Sequence, residues 1–159
     1  MQTATTSMEQ NDDIQSIITL ARGLVSNASC ADADRVAVDV HSRDDSATVI
    51  VEDNGRGMTE TQFERFFEPT GGDDPFAIGE EVIAATRRNG RTLLVDSEDT
   101  GEYPIVEVNR DREEGTRVEV RGVDAPDDLT ERLSAETLRK RLALDESDWT
   151  ALVTVREME

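Results

Sequence analysis

The chain has 159 residues, a length that suits one domain with a sizeable core and leaves too few residues for two. Asp and Glu number 36 against 17 Lys and Arg, so the formal net charge is -19. Direct nonspecific binding of nucleic acid is not expected, because no basic run offsets repulsion from the phosphates.

The chain begins with a polar segment, a helix and a hairpin. Residues 1–11 are a polar lead-in without the layout of a signal peptide, and residues 12–159 are predicted to form a single domain. From Ile14 onward, apolar residues recur at helical spacing for about 17 residues. "RVAVDVH" alternates three valines as a strand with one buried face, a turn follows at Asp44 and Asp45, and "ATVIVE" is the returning strand.

Two more helices are predicted, one on each side of a loop. Thr59 and Gln62 fit a capping box at the start of a short helix whose apolar face consists of phenylalanines. "EPTGGDDP" is predicted to be a loop, because it combines glycines, prolines and acids. "GEEVIAATRRNG" is predicted to be the second of these helices, ended by Asn89 and Gly90.

The rest of the chain is predicted to contain four strands and one further helix. The strands are "RTLLVDS", "YPIVEVN", "TRVEVRGV" and, at the end, "TALVTV", and the helix forms around "SAETLRKRLAL". No repeat and no internal linker divides this order. The predicted fold class is therefore α+β, a two-layer α/β sandwich with a mixed sheet and helices on one face.

The acidic residues occur in nearly every predicted loop, as in "SEDTGE", "DREEG" and "DAPDD", and every basic residue except Lys140 is an arginine. This distribution favours adaptation to a molar-salt cytoplasm, in which acid covers the whole surface. Two alternatives stay open. The acids could concentrate on one face of a nucleic-acid mimic or binder of basic partners, or the charge could only support solubility.

Cysteine content and hydropathy indicate where in the cell the protein is expected. A single cysteine, Cys30, excludes an intrachain disulfide. No stretch approaches the roughly 18 apolar residues of a membrane span. We therefore expect a cytoplasmic protein that does not interact with membranes.

"EDNGRGM", at the end of the second predicted strand, is the main candidate for a binding site. Asn-Gly is a common tight-turn dipeptide, and a strand-to-helix connection needs no further purpose. Three features favour a ligand instead. Asp53 offers a carboxylate at the pocket floor, Gly57 leaves the backbone open to a flat ligand, and Met58 adds a polarizable contact.

The first helix has an unusual second face. Gly23, Asn27 and Cys30 share one side of it, opposite the apolar stripe. A small and polar helix face beside a glycine-containing strand end suits a ligand. The alternatives are a helix packed closely at Gly23 and, for Cys30, either a small buried filler or a reactive thiol.

Together these segments resemble a known family. "GLVSNASCADADRVAVDV" and "VIVEDNGRGMTETQFERFF" are similar to the GHKL ATPases, which include gyrase B, Hsp90, histidine kinases and MutL. Their first helix carries Glu-x-x-x-Asn-x-x-Asp-Ala, their second strand ends in Asp-x-Gly-x-Gly, and "EGTRVEV" looks like their late Gly-Thr strand. The resemblance covers about 130 residues and implies the Bergerat fold, in the form found in Hsp90, MORC and topoisomerase VI B-subunit domains.

The resemblance implies a role for each matching residue. Asp53 would accept a hydrogen bond from the adenine amino group, and Thr116 would support the same edge of the base. Gly57 would allow the base to approach, and Met58 would pack on its face. Asn27 would help to hold Mg²⁺ between the phosphates. The full set implied for the nucleotide is Asn27, Asp53, Gly55, Gly57, Met58, Gly71, Gly72, Gly79 and Thr116.

The cofactors implied are ATP or ADP with Mg²⁺. Gly71, Gly72 and Gly79 would belong to the lid over the phosphates, where unpaired backbone N–H groups at a helix start suit anions.

Departures from the family pattern predict weak chemistry. The general-base Glu of the family falls on Gly23, and a second family acid falls on Cys30. General-base catalysis is typically worth about 10²–10⁴ in rate, so no catalytic residue is predicted and hydrolysis should be severely impaired. Glu80 and Glu81 would also place negative charge near a triphosphate.

Three functions stay open. The first is an adenine-nucleotide-binding module with absent or weak hydrolysis, in which the ligand orders the lid and alters contact with an unidentified protein partner. The second is a pseudo-ATPase that binds no nucleotide and acts as an interaction domain. The third is an ATPase or kinase whose base comes from a partner or from the N-terminal segment, for instance Asp12 or Asp13. The sequence leaves open whether the chain forms a homodimer.

Overall fold

The computed structural model describes residues 14–26, 28, 32–66, 79–98, 105–108, 114–144 and 150–157. Helix α1 covers residues 14–26, and residue 28 is also helical. The further elements are β1 (Arg35–Arg43), β2 (Ser46–Asp53), α2 (Glu60–Phe66), β3 (Glu81–Arg88), β4 (Arg91–Glu98), β5 (Val106–Val108), β6 (Gly115–Asp124), α3 (Leu129–Arg132), α4 (Ala135–Arg141) and β7 (Thr150–Glu157).

The strands form one seven-stranded mixed sheet in the order β5-β4-β3-β6-β2-β1-β7. β1 and β7 pair in parallel, whereas the other neighbours pair antiparallel. β6 lies at the centre of the sheet and joins the β1–β2 hairpin to the β3–β4 hairpin. The predicted α+β class with a mixed sheet is confirmed.

The core lies between the helices and one face of this sheet. Val38, Val51 and Val118 stand in register on β1, β2 and β6, and all three are buried. Burying one such side chain contributes about 1.5–3 kcal/mol. The predicted apolar stripe of α1 faces the same core with Ile17, Ile18, Ala21, Val25 and Ala28, and Leu20 and Leu24, which the stripe did not include, are buried beside them.

Two local predictions are confirmed. The β1–β2 hairpin turns at Asp44 and Asp45, and Asp44 adopts a left-handed backbone with φ 55°. The capping box of α2 is also present. The Thr59 N–H donates to Gln62 Oε1 over 2.9 Å, and the Gln62 N–H donates to Thr59 Oγ1 over 3.2 Å.

The predicted helix over "GEEVIAATRRNG" is wrong, because this segment contains strand β3. Val82, Ala84 and Thr86 are buried alternately and pair with β6 on one side and β4 on the other. Asn89 and Gly90 have φ values of 53° and 82°. Two consecutive positive φ angles form the tight hairpin turn that Asn-Gly favours, so this dipeptide joins β3 to β4 and does not end a helix.

Two further expectations concern membrane spans and the predicted loop after α2. No helix in the described ranges is long and apolar enough to span a membrane. The predicted loop "EPTGGDDP" lies outside the described residues.

Candidate functional site

The carboxyl end of β2 brings three polar side chains into one row. Asp53 pairs with Thr116 of β6, and Thr116 pairs with Thr86 of β3. All three are buried, with exposed fractions of 8% for Asp53, 4% for Thr116 and 0% for Thr86. Because residues directly opposite each other point to the same side of a sheet, this row belongs to the face that the helices cover.

Hydrogen bonds connect this row to the loop after β2. The Gly55 N–H donates to Asp53 Oδ1 over 2.8 Å. The Met58 N–H donates to Thr86 Oγ1 over 2.7 Å, and the Thr86 and Thr116 hydroxyl oxygens lie 2.9 Å apart. The loop from Asp53 to Met58 is therefore held at both ends by groups of the row.

Two glycines allow the backbones to meet here. A Cβ on Gly57, which has φ +73°, would lie 2.1 Å from the Arg87 carbonyl oxygen. A Cβ on Gly115, which has φ +139°, would lie 2.0 Å from the Asp53 carbonyl oxygen. Both positions therefore require glycine for contacts within the protein. For Gly57 this is a reason distinct from the approach of a ligand, which stays a prediction.

Asn54 fixes the start of the same loop, and sequence reasoning did not single it out. Its Oδ1 accepts hydrogen bonds from the Asp34 N–H (3.1 Å) and the Arg35 N–H (2.8 Å). Its Nδ2 donates to Asp34 Oδ1 over 2.5 Å. The side chain thus ties the end of β2 to the segment before β1, as Asn commonly does at turns.

A cavity of about 450 Å³ adjoins this end of the sheet, within the size range of small-molecule sites. Its lining comprises Arg35, Val36, Ala37, Glu52, Asp53, Asn54, Glu114, Thr150 and Leu152. Ala37, Glu52 and Leu152 stand in register on the face of the sheet opposite to the row, so the cavity opens on that face, and Asp53 is the member of the predicted nucleotide set in its lining. The lining carries more acid than base, which disfavours an anionic group in it.

Gly79 lies elsewhere, at the opposite end of β6. A Cβ on it would meet a Val120 methyl carbon at 2.3 Å and the Arg121 carbonyl oxygen at 2.8 Å. Thr116 is four to five residues away along β6, roughly 13–17 Å at the rise of a strand. The prediction that Gly79 stands at a helix start is wrong, because strand β3 follows it.

The acids after Gly79 are engaged with β6. The Glu80 N–H donates to the Arg121 carbonyl oxygen over 2.8 Å, and Glu81 Oε1 lies 3.2 Å from Arg121 Nη1. The negative charge of Glu81 is therefore compensated by a neighbouring strand. This arrangement differs from the prediction that both glutamates face a triphosphate.

Of the remaining residues that the sequence singled out, the structure describes only Gly23. Gly23 lies exposed on α1, and a Cβ on it would meet no atom of the described residues within 4 Å, so these residues do not pack closely against the helix at Gly23 as the alternative prediction required. Residues outside the described ranges are Asn27, Cys30, Gly71 and Gly72. Their predicted roles stay predictions. Within the described ranges, no group of three His, Cys, Asp or Glu side chains could hold a metal ion.

The opposite face of β6 carries charge. Arg117 Nη2 lies 3.0 Å from Glu119 Oε1, and Arg121 Nε donates to Glu119 Oε2. Burial raises the pKa of Glu119, but hydrogen bonds from Arg121 and Arg117 outweigh it and hold the pKa below its ordinary value of 4.5. This ladder of ion pairs extends to Glu52, whose Oε2 lies 3.4 Å from Arg117 Nε, and to Glu81.

Comparison with known sequences gives one family match. Residues 12–126 match the protein-family model described as "Histidine kinase-, DNA gyrase B-, and HSP90-like ATPase". No curated protein matches the chain.

Solved structures provide further similarity. The ADP complex of the Aquifex aeolicus MutL ATPase domain aligns with a TM-score of 0.56 and 19% identity, covering 88% of this chain and 59% of that one. A point mutant of the same domain gives 0.56 and 21%, covering 87% and 60%. The N-terminal domain of a DNA repair protein gives 0.52 and 16%, covering 80% and 43%. The chain spans less than two thirds of each, and the similarity shows a shared fold.

Proposed function

The chain belongs to the family of histidine kinase-, DNA gyrase B- and HSP90-like ATPases, and we propose that it is an adenine-nucleotide-binding module with little or no ATP hydrolysis. The observation that carries this proposal is the register of Asp53 with Thr116 on the buried face of the sheet. It places a carboxylate next to a hydroxyl at one strand end, where a purine edge could meet both.

The two side chains have the chemistry that adenine requires. The Watson–Crick edge of adenine presents an amino donor beside a ring-nitrogen acceptor. A carboxylate has about four acceptor positions, and the Gly55 N–H uses one on Asp53, so the group can also accept from the amino group. The Thr116 hydroxyl can donate to the ring nitrogen. Met58, half-buried against the core, would pack on the face of the base.

The phosphate half of the site rests on resemblance. Asn27 would hold Mg²⁺ between the phosphates, Gly55 would lie beside the base, and Gly71 and Gly72 would belong to a lid. ATP or ADP would supply the ligand, and its state would change the contact with a protein partner. Hydrolysis would be weak, because Gly23 has no side chain to activate water.

An interaction domain without a nucleotide is the second candidate. The position of Gly79 favours it, since this glycine packs against β6 and precedes a strand, where the prediction required a phosphate-binding helix start. An ATPase or kinase with a base from Asp12, Asp13 or a partner is the third. In each case the acidic, lysine-poor composition supports adaptation of a cytoplasmic protein to molar salt.

The deciding experiment is calorimetric titration of ADP and ATP with Mg²⁺ in molar KCl. We expect the wild type to bind and Asp53→Ala to bind at least about 100-fold more weakly, because the adenine amino group would be buried without a hydrogen-bond acceptor. Asp45→Ala, which removes the same charge from an exposed turn, should bind as the wild type does.

The outcomes separate the candidate functions. Equal affinities for wild type and Asp53→Ala would contradict the assigned adenine site. Absence of heat from either nucleotide, with a wild-type protein that circular dichroism shows to be folded, would overturn the proposal and leave the interaction domain.

A further inference from the structure

Thr86 is the most deeply buried polar residue of the row, and no sequence pattern assigns it to the site. It has 0% exposure and lies on β3, between the loop that carries Met58 and the strand that carries Thr116. Its Oγ1 lies 2.7 Å from the Met58 nitrogen, 2.9 Å from Thr116 Oγ1 and 3.4 Å from the Gly115 carbonyl oxygen.

Either hydroxyl of the Thr86–Thr116 pair can be the donor, and the shorter of two contacts favours Thr116 as the acceptor of the Thr86 proton. A threonine hydroxyl donates one hydrogen bond and accepts two. The Met58 N–H can only donate, so it uses one acceptor position of Thr86. The proton then has two acceptors within reach. Thr116 Oγ1 at 2.9 Å has the ordinary distance for a hydroxyl pair, whereas the Gly115 carbonyl at 3.4 Å lies beyond it.

We propose that Thr86 is a positioning and specificity-determining residue of the adenine site. Its hydroxyl donates to Thr116 and so directs the Thr116 proton away from the core, towards the ring nitrogen N1 of a purine. This inference rests on the proposed function, because Asp53 and Thr116 are taken to read the base.

The direction of the Thr116 proton decides what the site accepts. A Thr116 that donates to Thr86 would offer only lone pairs, which repel the bare N1 of adenine. A Thr116 that accepts from Thr86 offers a donor beside the acceptor Asp53, and this pair complements the acceptor N1 and the donor amino group. Thr86 thereby sets a preference without touching the ligand.

The same hydroxyl also anchors the loop. By accepting from the Met58 N–H, Thr86 fixes the position of the side chain that would pack on the base. Loss of this anchor would weaken every purine by the same factor. Loss of the proton direction would change only the discrimination at N1, so the two effects are separable in a ligand comparison.

The test compares ADP with its analogue in which a C–H group replaces N1 and the amino group is kept. We expect the wild type to prefer ADP by about tenfold, the worth of one hydrogen bond, and Thr86→Val to reduce the preference to about twofold or less. Thr86→Ser, which keeps the hydroxyl, should restore it. Thr92→Val is the matched control, because Thr92 is a buried threonine on the neighbouring strand, outside the row.

A second readout does not require nucleotide. Amide hydrogen exchange measured by NMR should show a protected Met58 N–H in wild type and Thr86→Ser, and at least about tenfold faster exchange in Thr86→Val. If Thr86→Val does not fold, Thr86→Cys replaces it in both measurements, since a thiol is a weak donor and acceptor.

The failures of the inference and of the proposed function are distinguishable. If the wild type binds ADP, Asp53→Ala does not, and Thr86→Val keeps the wild-type preference for N1, the proposed function stands and the role of Thr86 is overturned. A wild type that binds ADP and the analogue equally would also overturn the role of Thr86 and leave the proposed function standing. A folded wild type that binds neither overturns both.

Discussion

The two faces of strand β6 show how one segment serves two kinds of surface. Thr116, on the face that the helices cover, joins a row of buried uncharged hydroxyls beside Asp53. Arg117, the next residue, points to the other side and pairs with Glu52 and Glu119. The alternation of side chains along a strand is sufficient to separate the candidate site from a charged surface by one residue.

The difference between the faces lies in how polar groups are satisfied. On the covered face, directional bonds at 2.7–2.9 Å leave each hydroxyl with few alternatives, so a substitution should alter recognition. On the charged face, each arginine contacts two carboxylates, so a substitution should alter stability in a pH-dependent way. Three predictions on stability, from the largest effect to the smallest, follow from this comparison.

Gly57→Ala should disturb the contact between the loop after β2 and strand β3 on the covered face. The added methyl would lie 2.1 Å from the Arg87 carbonyl and would also require φ +73° of an alanine. We expect a loss of about 2–4 kcal/mol in the free energy of unfolding, measured by chemical denaturation in molar KCl.

Gly90→Ala is the control for that loss. Gly90 has a similar φ of +82°, but a Cβ on it would meet none of the described atoms within 4 Å, so the left-handed strain of about 1–2 kcal/mol is the expected cost. Equal losses in the two variants would show that contact with β3 is not what requires glycine at position 57.

Glu119→Gln weakens the charged face. Since hydrogen bonds from Arg121 and Arg117 lower the folded-state pKa of Glu119, its carboxylate stabilises the protein above the unfolded-state pKa. That contribution is lost as the pH falls through the lowered folded-state pKa. We expect Glu119→Gln to be about 1–3 kcal/mol less stable than the wild type at pH 7, with the difference disappearing in acid below the ordinary value of 4.5.

Denaturation curves from pH 7 downward test this expectation. Glu64→Gln, an exposed acid on α2, should show a much smaller difference at pH 7. A gap for Glu119→Gln that stays constant with pH would contradict the assignment of its stability to the charged carboxylate.

Gly23→Glu adds a side chain on α1, which covers the site face. Because a Cβ at Gly23 meets none of the described atoms within 4 Å, the change should stabilise the helix by about 0.5–1 kcal/mol through helix propensity. The same variant examines the proposed lack of hydrolysis, since ATP turnover should rise if the carboxylate reaches an attacking water. Ser26→Glu, an exposed position one turn further on, is the control, and equal turnover in both variants would argue against a specific base.

Sequence patterns predicted most elements because their signals are local. The apolar stripe of α1, the Asp44 turn and the capping box at Thr59 each depend on residues within one or two turns of chain. Segment 79–90 was mispredicted because a run of consecutive apolar residues fits both a buried helix and a strand. Pairing with β6 and β4 favours the strand. A helix over this segment would not pair Thr86 with Thr116, so the sequence-based prediction did not include Thr86 in the site.

The periodicity of the sequence predicts the fold class, and its continuous motifs carry the resemblance to the family. The resemblance in turn implies that Asp53 and Thr116 bind the base. Three facts appear only in the folded chain: Thr86 lies beside Thr116, contact with Arg87 requires glycine at position 57, and Gly79 lies at the far end of β6. These facts depend on strand register, which pairs residues about 30 positions apart and is set by burial of a whole sheet face.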